Sequence, residues 1–149
     1  MLVIGIDDAG RGPVIGPMVL AGVLINRETE KQFLKLGVKD SKKLHPRKRE
    51  VLSEEIKKLS IATHVVLIPP MEIDGKTGDN LNLNQREAVA SAQIINKLNK
   101  ILKSKEHMDV IIDCPSSNPK ALKKYLEKFL MARTNLNLIC EHKADVNHV

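Results

Sequence analysis

The feature that most constrains this chain is the alternation of short, β-branched apolar runs with stretches whose apolar residues recur at helical spacing. LVIGID (2–7) and PMVLAGVLI (17–25) are brief, rich in Val and Ile and bounded by Gly and Pro, the pattern of two buried strands joined as a hairpin. Pro46 suits a first helical turn, and Val51, Leu52, Ile56 and Leu59 follow at helical spacing, so an amphipathic helix is predicted over about 46–59. IATHVVLI (61–68) reads as a third strand. Beyond the polar loop EIDGKTGDNLN, the residues Ala88, Ala92, Ile95, Leu98 and Leu102 mark a long helix. MDVIID (108–113) reads as a strand, PKALKKYLEKFLMA (119–132) as a helix with Leu122, Leu126 and Phe129 inward, and LNLICEH (136–142) as a last strand. The order is ββ, helix, β, helix, β, helix, β, an α/β chain without internal repeats.

A length of 149 residues suits one domain with a real core, and 42% apolar against 28% charged residues is a globular balance. No apolar run approaches the roughly 20 residues of a membrane span, and MLVIGI lacks the basic start and cleavage site of a signal peptide. Cys114 and Cys140 are the only cysteines, so buried thiols in a reducing cytoplasm are expected rather than a disulfide framework. The net charge of +6 favours an anionic partner such as nucleic acid. KDSKKLHPRKR (39–49) and the run Lys120, Lys123, Lys124, Lys128 concentrate that charge, although either run alone also suits a solvated helix face. With 2% aromatics and no Trp, a stacking platform for single strands is not expected, so the backbone would be what is held.

Strands separated by a helix are usually parallel, and such connections place ligands at the carboxyl ends of the strands. LVIGID ends in Asp7, DVIID ends in Asp113, and LNLICEH is followed three residues later by Asp145. If those strands are parallel neighbours, three carboxylates converge on one edge, where their mutual repulsion is relieved by bound cations. Without Cys pairs at zinc spacing or an HExxH, oxygen ligands dominate, which fits Mg²⁺ or Mn²⁺. Two such ions about 3.5–4 Å apart suit in-line attack on a phosphodiester, so a nuclease is implied. Singly, the acids have plainer readings: Asp7 and Asp8 as turn or cap residues, Asp113 as a cap for the helix starting near Pro119. Because neighbouring side chains in a strand face opposite ways, the first strand is expected to end between these two acids. Asp7 would be its last inward residue and the chain would turn at Asp8. Gly10 and Gly12 permit positive φ and Arg11 supplies a fixed charge, so a sugar or phosphate could lie against the loop; a Gly-rich hairpin turn is equally ordinary.

Taken together, IDDAGRGPVIGPMV, DSKKL, DNLNLN, IIDCP and EHKAD, in this order, resemble type 2 ribonuclease H (ribonuclease HII), particularly archaeal forms, over Gly5 to Asp145. The resemblance implies a ribonuclease H-like fold: a mixed five-stranded sheet, its first three strands antiparallel with parallel additions, flanked by helices, in a single catalytic domain over 1–149. It implies a divalent-metal endonuclease that cleaves the RNA strand of RNA/DNA hybrids and cuts 5′ of a ribonucleotide embedded in duplex DNA. Asp7, Asp8, Asp113 and Asp145 would bind the metals. Gly10, Arg11 and Gly12 would contact the 2′-hydroxyl, the group that distinguishes a ribonucleotide. Ser41, Lys42 and Lys43 match a block near the phosphate backbone, as do Asn80 and Asn82. A cytoplasmic monomer is expected, with no membrane association and no protein partner identified.

Two departures stand out. The family usually has Glu where this chain has Asp8, so an altered metal preference is expected. The family also continues past the position of Val149 into a Ser/Ala-rich segment and helices that carry a tyrosine, so a truncated core is expected, with weaker substrate binding and exposed apolar surface. Tyr125 lies outside that motif and reads as a packing residue. His142 could orient an acid or assist protonation, or be a solvent or cap residue, as could His148. Rival readings are an actin- or sugar-kinase-like ATPase, which lacks a second phosphate loop here, and a non-catalytic nucleic-acid-binding module, which leaves the acids unexplained.

Overall fold

The computed structural model describes residues 1–12, 15–102, 106–114, 118–131 and 135–141. Strands β1 (Leu2–Ala9), β2 (Met18–Asn26), β3 (Ala62–Ile68), β4 (Met108–Asp113) and β5 (Leu136–Glu141) form one mixed sheet in the order β3-β2-β1-β4-β5. β1 pairs antiparallel with β2, and β2 with β3, whereas β4 joins β1, and β5 joins β4, in parallel. The expected sheet is therefore present.

Alternation along the strands sends Leu2, Ile4 and Ile6 of β1, Met18, Leu20 and Leu24 of β2, and Met108, Val110 and Ile112 of β4 to one face, all buried. Helices α4 (Leu83–Ile101) and α5 (Pro119–Glu127) cover that face. α4 presents Ala88, Ala92, Ile95 and Leu98 to the sheet, and the two small alanines let it approach closely. At Gly22 the approach is tightest, because any Cβ there would collide with the Cγ2 of Ile94. A capping box starts α4: the Asn82 side chain accepts from the Gln85 N–H while the Gln85 side chain accepts from the Asn82 N–H.

The opposite face is partly covered by α1 (Arg27–Leu36), which packs on β2 and against α2 (Pro46–Leu59), burying Ile25, Phe33 and Leu52. Neither α1 nor the short α3 (Pro70–Ile73) is among the predicted elements. α1 is highly charged and buries only Thr29 and Phe33, too thin a stripe to register as a period. It is made by its ends: Asn26 accepts from the N–H groups of Glu28 and Thr29, and Gly37 closes it at φ 76°.

Three expectations need correction. β1 does not end between Asp7 and Asp8 but runs on to Ala9, because its ladder with β2 continues through Asp7↔Ala21, Asp8↔Leu20 and Ala9↔Val19. Asp8, not Asp7, shares the buried face with Ile4 and Ile6, and Asp7 is exposed. In α2 only Leu52 is buried, and Val51, predicted inward, is 57% exposed. α5 stops at Glu127, and Phe129 lies 41% exposed beside Tyr125 while Leu130 is buried instead. The cause is Asn96 of α4, whose side chain donates to Phe129 O and accepts from Met131 N–H, taking over backbone groups that a longer helix would have used. Tyr125 does pack against the core, as expected.

Candidate active site

The parallel ladder of β1 with β4 reaches Ile6↔Ile112. Asp7 and Asp113 are the next residues on each strand, at the carboxyl edge of the sheet. Asp7, Asp8 and Asp113 line one small hollow there, floored by Ile6 and Ile112 and walled by Glu87 and Ser91 of α4. Asp7 and Asp8 are neighbours along the strand, and both line the hollow. The Oδ1 of Asp7 also accepts the Asp8 backbone N–H at 2.8 Å.

Electrostatics tie the group together. Burial raises the pKa of Asp8; the Arg11 charge opposes this, the neighbouring Asp113 adds to it, and Lys42 opposes it. Burial pushes Glu87 further, to about 7, against the pull of Arg11 and with the help of Asp8. Arg11 reaches from the β1–β2 connection to α4, where its Nη2 donates to Asn84 Oδ1 at 2.7 Å and its Nη1 lies 3.3 Å from Glu87 Oε1. Gly10 starts that connection at φ 84°, and a Cβ on it would stand 2.8 Å from Pro17 O, so glycine is required twice over. Gly12 faces open space.

Ser41, Lys42 and Lys43 form an exposed 3-10 turn capped by Asp40, which accepts from Lys42 N–H at 3.0 Å. Asn80 is exposed at φ 53°, and Asn82 is committed to the α4 cap. The structure thus brings Asp7, Asp8, Asp113 and Arg11 to one place, with Lys42 in electrostatic reach. Asp145, His142 and His148 lie outside the described residues. Asp113 does not start α5; Asn118 does, accepting from Ala121 N–H. Cys114 is buried and Cys140 is partly buried, neither is in a disulfide, and burial raises the Cys140 thiol pKa to about 11.

The sequence reading missed Asn84, Glu87 and Ser91. Their signal was a polar stripe at spacings of three and four on the apolar side of α4, where a solvated helix would carry none. Among the described residues, no three His, Cys, Asp or Glu side chains come close enough together to hold an ion.

The sheet order, with carboxylates at the ends of adjacent parallel strands, defines a protein of the ribonuclease H-like fold. Ribonuclease HII is the family whose pattern matches residues 4–149, and the chain belongs to that family. The chain is 36% identical over 149 residues to Ribonuclease HII of Methanobrevibacter smithii, covering all of this chain and 66% of that protein. The crystal structure of the ribonuclease H2 from Pyrococcus horikoshii superposes with a TM-score of 0.82 at 32% identity, over 99% of this chain and 65% of that one. The RNase HII in a PCNA complex from Archaeoglobus fulgidus gives a TM-score of 0.79 at 37% identity, over 99% and 66%. The chain thus spans just under two thirds of the length of these relatives. Family membership sets aside the kinase-like alternative.

Proposed function

We propose that this chain is a metal-dependent endoribonuclease that hydrolyses the RNA strand of RNA/DNA hybrids and cuts 5′ of ribonucleotides embedded in duplex DNA, chemistry that serves DNA replication and repair. The observation that carries the reading is the hollow shared by Asp7, Asp8 and Asp113 beside Arg11, in a chain of the ribonuclease HII family. The donor chemistry fits Mg²⁺ or Mn²⁺: the acids offer only oxygen, and the half-buried Asp8 feels the charge of Asp113, a repulsion that a cation relieves. Asp7, Asp8 and Asp113 would hold the metal together with Asp145, the first three not being grouped closely enough to do so alone. When bound, two such ions lower the pKa of an attacking water and offset charge on the leaving oxygen.

The chain's other residues bind and orient. Ser41, Lys42 and Lys43 offer one hydroxyl and two ammonium groups, exposed and suited to phosphates, and Asn80 and Asn82 are likewise exposed. Gly10 and Gly12 leave the backbone free to approach a ribose, whose 2′-hydroxyl is the mark of the substrate. Arg11 would set a fixed positive charge beside that ribose.

The test uses duplex DNA with one ribonucleotide, an RNA/DNA hybrid and an all-DNA duplex, each with and without Mg²⁺ or Mn²⁺, beside Asp7→Asn. Metal-dependent cutting of the first two, lost in the variant, is expected. Binding without cutting, unchanged by Asp113→Asn, would support the non-catalytic module instead.

A further inference from the structure

We propose that Glu87 and Asn84 on α4 are positioning residues that clamp the Arg11 guanidinium and so fix the 10–12 loop over the end of β1; the purpose of the clamp rests on the nuclease reading above. Glu87 is 4% exposed, and neither of its carboxylate oxygens accepts a hydrogen bond. Such a group is costly to bury, and hydrophobic residues of similar volume would generally stabilise the fold at least as well. Its wall position beside Asp8 makes the cost greater, because the two negative charges repel.

What Glu87 gains is Arg11. The Nη1 of Arg11 stands 3.3 Å from Glu87 Oε1 without the alignment of a hydrogen bond, while Nη2 is fixed by Asn84 Oδ1 at 2.7 Å. Asn84 and Glu87 are one turn apart on α4, so they meet one guanidinium from the same helix face. Arg11 itself follows Gly10, whose positive φ and lack of room for a Cβ beside Pro17 O restrict the backbone entering the loop. Loop and helix are therefore joined by side chains at one end and constrained by backbone at the other. A guanidinium held this way is a fixed charge rather than a mobile one, which is what discrimination at a single nucleotide requires.

Two measurements test the clamp. In side-chain NMR of the metal-free protein, rotation of the Arg11 guanidinium should be slow in the parent and fast in Glu87→Ala; fast rotation already in the parent overturns the clamp. In binding by anisotropy in EDTA, and in cutting with Mn²⁺, Arg11→Ala and Glu87→Ala should each weaken discrimination between ribonucleotide-containing and all-DNA duplex by about tenfold. The double variant should be no worse than either single one. Fully additive losses, or unchanged KM and discrimination in a folded Glu87→Ala, overturn the proposal. A parent that neither binds nor cuts overturns the nuclease reading and the purpose of the clamp, while the NMR result still decides whether the clamp exists.

Discussion

Ile94 of α4 lies so close over Gly22 of β2 that the strand has no room there for a methyl group. Ile94 is fully buried and β-branched, so it cannot swing aside cheaply. Gly22→Ala is expected to destabilise the fold by about 1–3 kcal/mol. Gly22→Ala combined with Ile94→Ala, which removes the clashing Cγ2, should cost less in chemical denaturation than the sum of the two single changes. A neutral Gly22→Ala would contradict the packing.

Glu87 links stability to pH. Its pKa in the folded chain is about 7, against an ordinary 4.5, so between those values the folded state holds more protons than the unfolded one. In EDTA, stability is expected to be greatest at the acidic end of this window and to fall as pH rises from 4.5 to about 7. Glu87→Gln should flatten the fall, leaving the smaller contribution of Asp8, which has the same sign. Denaturation midpoints across that range measure it, and parallel curves for parent and variant would refute it.

The two loop glycines should behave differently. Gly10→Ala meets both a positive φ and the Pro17 carbonyl, and should cost about 1–3 kcal/mol while disturbing the site. Gly12→Ala enters open space and should leave the unfolding midpoint unchanged while weakening hybrid binding. Equal midpoint losses in both would remove the distinction.

Asn82 offers a division of labour. Its carbonyl oxygen caps α4, so Asn82→Ala should cost about 1 kcal/mol, and Asn82→Asp, which keeps the cap, should not. If Asn82 also serves the nucleic acid, both variants should bind a hybrid more weakly, Asp through its added negative charge. Unchanged binding in Asn82→Asp would leave the cap as its only role.

The strands, the long α4 and the sheet itself were legible because their apolar residues keep one period over enough residues to be read. α1 was not, since its stability comes from a cap, a closing glycine and one buried Phe. The exposure of Phe129 depends on Asn96, more than thirty residues away, which no local pattern reports. For the site, Asp7 and Asp113 were singled out by their place at strand ends and Asp8 by the family resemblance. Their facing was misread because the Gly-rich turn suggested an early stop, whereas pairing with β2 carries β1 to Ala9. Glu87 and Asn84 matter only through a partner in another element, so the stripe they form had no meaning before α4 and the loop were seen together.

The two-sided pairing of β1 also sets an order of assembly. β1 and β2 meet across a short connection, whereas Ile6 meets Ile112 only after most of the chain has been laid down between them. Asp7 and Asp8 therefore arrive early on a local hairpin, and the repulsion between Asp8 and Asp113 is first felt when β4 docks. That late joining is the step a divalent cation should accelerate. Added Mg²⁺ should speed the stopped-flow refolding of the parent more than that of Asp8→Asn; equal acceleration of both would show that the carboxylates do not gate the final closure.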